Sequence, residues 1–346
     1  MKTSTSTSTS TSTSTSTKTP PLLTLALKKN LNKHVLEIIL LVIVVAMAFA
    51  SSGFLTTDNL LNILRNMAMQ GCIAFGMTMV IIAGEIDLSI GSTVAVSGVI
   101  VGLVSGKLSS SGILPIDAAV VVGIIASFLV AGLIGYFNGW ILTKYKVPSF
   151  IITLAMLNVV YGIAAVLSKG FPVTTFPSWF NVFGAGEIFS IPIPAIILLA
   201  VFAVILLIMN YTKFGRSVYA VGGNPESAHL SGINVSRVKI ICMVVVQLLS
   251  ALSGILLSSQ VMSGSFNFGK GWEMIAISSV IIGGTSLFGG IGKVWGTFIG
   301  LIFLGVLINA MTLLNINEYV QYIVRGLLIL TAVLITTIQL MKKRKS

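Results

Sequence analysis

Charge is scarce in this chain of 346 residues. Only 9% are Asp, Glu, Lys or Arg, against about 25% in a typical soluble domain, and 55% are hydrophobic. That balance excludes an ordinary soluble fold and leaves a polytopic membrane protein. Histidine is scarcer still. His34 and His229 lie far apart in different polar settings, so no metal site can be built from His and Cys spacing. The two cysteines, Cys72 and Cys242, sit inside apolar runs and read as buried small hydrophobes, not as a disulfide or redox pair. No nucleophile–base triad or metal motif is visible. The nearest thing to an engine is Gly264-Ser-Phe-Asn-Phe-Gly269-Lys270-Gly271, close to the phosphate loop GxxxxGK[ST]. Gly271 stands where the magnesium-binding hydroxyl belongs, no strand precedes it, and the loop is expected outside the cell. An enzyme is therefore not expected, nor a cofactor. Uphill transport would need an ion gradient or a separate ATPase. The net charge of +12 is not a nucleic-acid signal, because the cations gather between apolar runs and at the two ends.

What is present is a series of apolar runs behind a polar tail. Residues 3–17 alternate Thr and Ser, with no face to bury, so residues 1–33 are expected to be a disordered cytoplasmic tail ahead of a transmembrane domain over 34–346. The first apolar run reads as a retained anchor, with Lys28, Lys29 and Lys33 holding the N-terminus inside. Ten spans are expected: 35–52, 59–82, 90–106, 117–142, 149–167, 191–210, 237–258, 273–283, 293–314 and 320–340. The eighth is too short for a full crossing and reads as a half-span. Sixteen of the 21 Lys and Arg fall in the two termini and alternate loops, three (Lys107, Lys169, Lys270) in the opposite loops, and two (Arg65, Arg325) within spans. Both termini and the loop 211–237 are thereby placed in the cytoplasm. The fold class is all-α, a helical membrane protein with broken or re-entrant segments.

A weak parallel repeat links Val80-Ile-Ile-Ala-Gly84 with Val280-Ile-Ile-Gly-Gly284, each followed by a Gly-containing loop and a new span. Repeats in transporters tend to set the permeant path between them; chance similarity of two Gly- and Ile-rich stretches is the alternative. Asp87, Ser89, Gly91 and Ser92 after the first copy, and Gly283, Gly284, Thr285 and Ser286 after the second, are candidates for the path or its gate. Asp87 or Ser89 could instead simply cap the next helix. Glu85 reads as part of a wet loop. Glu273 is expected to pair with Arg325 or Arg65 at the outer mouth, unless each snorkels separately. Gly296 and Gly300 form a GxxxG pair, read as plain helix packing.

The loop 211–237 carries a short helix with both ends marked. Asn224 suits the N-cap, Pro225 the first helical position, Glu226 the positive end of the dipole and Gly232 the left-handed residue beyond the end. About two turns of helix are marginal alone in water, so this one needs a surface or a partner. From the residues, a coupling element and a solvated connector remain open.

Three long motifs in register resemble one family. They are Gly76-Met77 through Gly84-Glu-Ile-Asp87-Leu-Ser-Ile-Gly91-Ser92, Phe214-Gly-Arg through Gly-Gly-Asn224-Pro-Glu226 to Gly232-Ile-Asn-Val, and Glu273 through Gly-Gly-Thr-Ser-Leu-Phe-Gly-Gly-Ile-Gly292. Together they resemble the permease subunit of ribose-type bacterial ABC sugar importers, from about residue 35 to the C-terminus. The resemblance implies a homodimer in the inner membrane, a periplasmic binding protein delivering a monosaccharide, and a cytoplasmic ATPase docking on Gly223, Asn224, Pro225, Glu226, Ser227, Ala228, His229, Leu230 and Gly232. Glu85 departs from the family pattern, which commonly has Gly there. The competing readings are an ion-coupled carrier using Glu85 and Asp87, a non-transporting scaffold, and an ABC permease for branched-chain amino acids.

Overall fold

The protein is described by a computed structural model covering residues 35–345; the Ser/Thr tract lies outside the described residues. Thirteen α-helices carry the described chain. They are α1 Val35–Ala50, α2 Thr57–Ile82, α3 Ile90–Ser110, α4 Ile116–Tyr145, α5 Ser149–Leu167, α6 Val182–Ala185, α7 Ile193–Tyr211, α8 Lys213–Gly223, α9 Pro225–Leu230, α10 Val235–Val261, α11 Trp272–Ile282, α12 Val294–Leu313 and α13 Glu318–Lys345. A hairpin of β1 (Glu187–Ile188) and β2 (Ile191–Pro192) lies between α6 and α7. The fold is all-α, as expected. Six helices, α3, α4, α5, α7, α10 and α12, are long and apolar enough to cross a membrane; Leu36–Ala50 and α11 are apolar but shorter. α2 is long enough, but its first half carries Asp58, Asn59, Asn62, Arg65 and Asn66.

α4 shows how these helices pack. Val121, Ile125, Leu129, Leu133 and Phe137 recur every fourth residue and are exposed, while Gly123, Ser127, Ala131, Gly135 and Gly139 recur on the opposite side and are buried. Large apolar residues outward and small ones inward are the arrangement lipid favours, since helices then gain by close backbone approach. A side chain at Gly123 would meet the backbone of Val101 on α3, and one at Gly135 or Gly139 the backbone of Met243, Val244 or Ile240 on α10. Gly296 and Gly300 work the same way, packing α12 onto Gly283 and Ser279 of the α11 end.

Two departures from simple crossing helices matter. The chain between α10 and α11 runs back along α3, with Gly264 against Gly98 and Gly269 against Gly91. Those seven residues of α3 correspond to about 10 Å of descent. α11 therefore begins level with the start of α3, and its 11 residues make a half-span.

The second departure is a matched pair of helix ends. After α2, Gly84 has φ +84°, its N–H donates to Ile81 O at 3.0 Å, and Glu85 N–H donates to Val80 O at 3.0 Å. After α11, Gly284 has φ +87°, its N–H donates to Ile281 O at 2.9 Å, and Thr285 N–H donates to Val280 O at 3.1 Å. The sequence repeat thus encodes the same left-handed stop twice, at a backbone angle that a side chain resists.

Candidate functional site

A third element meets the first of these ends and the loop that follows the second. α8 starts at Thr212, whose hydroxyl accepts the Gly215 N–H at 3.1 Å. Gly215, Val218 and Val221 form its buried face, and Lys213 and Arg216 remain outside. At its end, Gly222 lies on the stop after α2 and on the loop after α11. A side chain there would collide with Ile82 O and Gly290 N, and one at Gly289 would meet Gly222 and Gly84. Gly290 N–H donates to Ile82 O at 2.9 Å, so the loop between α11 and α12 also bonds to the stop after α2. Tyr219 Oη donates to Gly292 O at 3.0 Å. Burial pushes the Tyr219 phenol up, which keeps that donor protonated. A small backbone-to-backbone hub results, with α8 on one side and the end of α2 and the loop into α12 on the other.

α9 follows the hub directly. Asn224 Oδ1 accepts the Ser227 N–H at 2.9 Å, Pro225 takes the first helical position, and Glu226 lies in the first turn. Gly232 has φ +81° and Ile233 N–H returns to Ala228 O at 3.0 Å. Every capping role assigned from the sequence is filled as expected. Ala228 points inward at 4% exposure, whereas Leu230 is 83% exposed. Gly223, Glu226, Ser227 and His229 are also exposed.

Beneath α9 lies a cleft of about 780 Å³ lined by Glu85, Lys146, Pro225, His229 and Lys239, among others. Glu85 is no free loop carboxylate. Its Oε1 lies 2.5 Å from Lys239 Nζ of α10, and both side chains are largely buried. Removing one partner of such a pair strands the other charge, whereas removing both does not. Lys239→Met is therefore expected to cost on the order of 3 kcal/mol. The double variant Glu85→Gly, Lys239→Met should recover most of it. Thermal melts of the purified chain in detergent check this; additive losses would leave the pair without a structural role.

Asp87 and its neighbours form a sealed knot. Asp87 Oδ1 accepts the Ser89 N–H at 2.9 Å and the Ser89 hydroxyl at 2.6 Å, while Oδ2 accepts Gln247 Nε2 of α10 at 2.8 Å. Gln247 Nε2 also reaches Ser89 Oγ at 2.7 Å, and Asn138 Nδ2 of α4 reaches it at 3.0 Å. Ser92 Oγ donates to Ser89 O at 2.8 Å. Asp87, Ser89 and Ser92 are all 0% exposed. The knot ties the α2–α3 break to α4 and α10, and its side chains present no surface to a solute in this conformation. Gly91 packs against Glu273, Gly269 and Tyr161, and Gly283 against the α12 backbone. Thr285 and Ser286 are buried in the tight loop closed by Ser286 N–H to Ile291 O at 2.9 Å.

The expected outer ion pair is not formed. Arg65 pairs with Glu187 of the hairpin at 2.8 Å, and Arg325 bonds Gln321 and lies over the Tyr322 ring. Glu273 makes no ion pair among the described residues; its Oε2 is buried without a hydrogen-bond partner beside Gly91. The hairpin supplied a carboxylate nearer to Arg65 than the one the sequence offered.

The family model described as branched-chain amino acid transport system / permease component matches residues 59–333. The ribose import permease protein of Bacillus subtilis (strain 168) is 40% identical over 291 residues, covering 84% of this chain and 88% of the relative. The ribose import permease protein of Escherichia coli (strain K12) is 37% identical over 289 residues, covering 82% and 87%. The L-arabinose transport system permease protein of the same strain is 37% identical over 281 residues, covering 81% and 83%. No solved structure matches the chain. With six long apolar helices, two matched helix stops and identity sustained over most of its length, the chain belongs to this family of ABC importer permeases, as a multi-pass subunit of the inner membrane.

Proposed function

We propose that the chain is the membrane subunit of an ATP-driven importer for a monosaccharide, a ribose-like pentose, and that it works as a homodimer. A periplasmic binding protein delivers the sugar, and a cytoplasmic ATPase seats on α9. ATPase closure displaces α9, and the displacement reaches the α2 end and the loop into α12 through Gly222. The observation that carries this reading is the direct backbone contact of α8 with the stop after α2 and with the loop between α11 and α12. Backbone packed on backbone has no side chain to absorb a push, so α8, the α2 end and the loop into α12 move together. The Asp87 knot then serves to hold the α2–α3 break to α4 and α10 while the hub moves, shaping the path rather than lining it. Relatives named for ribose and for L-arabinose support a pentose over a branched-chain amino acid. An ion-coupled carrier is less well supported, because Glu85 is engaged by Lys239 and Asp87 is filled by neutral donors. Proteoliposomes test the reading. Uptake of labelled ribose should require the chain, its ATPase and its binding protein together. Accumulation against a gradient by the chain alone would end it.

A further inference from the structure

A second cleft, of about 620 Å³, lies where α7 ends, α8 turns away and α12 begins. Arg216 and Lys293 both line it, and no acidic residue does. Neither cation has an ion-pair partner among the described residues. Lys293 is also the N-cap of α12 and provides no side-chain cap, so the positive end of a 20-residue helix opens at the same place. Three sources of positive potential thus converge on one concave site. The walls are not those of a site for a soluble ion. Tyr211 is 74% exposed and Trp295 54%, and both stand at the rim. Trp295 rests on Phe298 and Phe202, with ring centres 5.6 and 5.9 Å away. From the rim, exposed Leu207, Val204 and Ile196 continue along one face of α7. An amphipathic ring at the headgroup level, a cationic hollow above it and an apolar wall below are complementary to one phospholipid.

We propose that this cleft binds the phosphate headgroup of an anionic phospholipid of the cytoplasmic leaflet, with its acyl chains along α7. The ligand chemistry is a phosphate monoanion, which a free phosphate would share. The aromatic rim and the apolar wall select the lipid. Because α8 forms both this cleft and the Gly222 hub, the lipid keeps α8 at the membrane surface as α8 moves with the hub. The site stands whichever solute the chain carries, and its test reads binding alone.

The test uses the full chain in neutral detergent, with native mass spectrometry reading retained lipid. Phosphatidylglycerol should be retained well above phosphatidylcholine. Each cation should contribute about fivefold, so Arg216→Gln with Lys293→Gln should lower retention about 25-fold. Arg216→Lys with Lys293→Arg should restore most of it. Unchanged retention in the double Gln variant, or equal retention of phosphatidylcholine, would overturn the proposal. So would displacement of the lipid by inorganic phosphate or glycerol phosphate at equal concentration, which would assign the site to a soluble anion. Should the double variant fail to fold, the unmodified chain still decides. Phosphatidylglycerol, and not phosphatidylcholine, should slow acetylation of Lys293 while leaving Lys144 unchanged; equal protection of both lysines would refute the site.

Discussion

Leu230→Glu is expected to reduce sugar-stimulated ATP hydrolysis by the assembled transporter at least about tenfold, with the amount of chain in the membrane unchanged. The argument rests on what each α9 residue faces. Ala228 points into the chain's own core and Leu230 points away from it at 83% exposure. An apolar side chain held in water on a short, firmly capped helix has no use within the monomer, but it is the shape an anchor takes when a partner closes over it. Losing such an anchor typically costs 2 kcal/mol or more, which is about thirtyfold in binding. Placing a carboxylate in the same pocket adds a desolvation penalty. Stability should hardly change, since Leu230 contributes little buried area. Leu230→Met keeps the apolar volume and should hydrolyse ATP normally. Ala228 behaves differently. A larger residue there disturbs the seat of α9 and should lower the melting temperature as well as activity. Normal stimulation in the Glu variant would remove α9 from the docking surface and, with it, the proposed route of coupling.

α9 was legible in the sequence because its determinants are local. Asn224, Pro225 and Gly232 act within a few residues of themselves, and any chain carrying them in that order tends to cap the same way. The stops after α2 and α11 were legible for the same reason. The repeated Val-Ile-Ile-small-Gly encodes its own hydrogen bonds. The half-span α11 also matched, with the expected 273–283 observed at Trp272–Ile282. α8 was not recognised as a helix, because two glycines at its end and one in its first turn lower intrinsic propensity. The Thr212–Gly215 cap and the spacing of Val218 and Val221 were the signals that could have found it.

Long-range pairings were the illegible part. Glu85 meets Lys239 from 154 positions away, and Arg65 meets Glu187 from 122. Sequence offered Glu273 as the partner for Arg65 or Arg325 because all three belonged to one leaflet. Leaflet fixes depth and says nothing of which helices adjoin. The hairpin carrying Glu187 had no alternating pattern long enough to predict. Asp87 was singled out correctly as unusual, yet only the fold reveals that Asn138 and Gln247 close over it.

The hub makes the most demanding claim, and Gly222→Val tests it. Gly222 does not adopt a left-handed angle, so its backbone conformation would accept valine. What excludes a side chain is space. Its first carbon would enter the volume held by Ile82 O and Gly290 N, which are backbone atoms of the α2 end and of the loop into α12 and bond to each other at 2.9 Å. Neither can rotate aside as a flexible side chain would, so α8 must lift from both. Overpacking of this kind costs about 1–3 kcal/mol. That is tolerable in a chain this large, and the variant should still assemble with its ATPase. Transport should nevertheless fall to background, and hydrolysis should lose its response to loaded binding protein while keeping its basal rate. Gly223→Ala is the internal control. Nothing lies within 4 Å of a side chain at that position, and alanine suits a helix better than glycine. It should leave the packing of the hub and the melting temperature unchanged, so any loss of transport there would report docking rather than the hub. A Gly222 variant that still imports sugar at the normal rate would mean that force passes from α9 into α10 instead, through the cleft closed by Glu85 and Lys239. Lys239→Met would then uncouple transport where Gly222→Val does not, so the two variants together identify which contact carries the stroke.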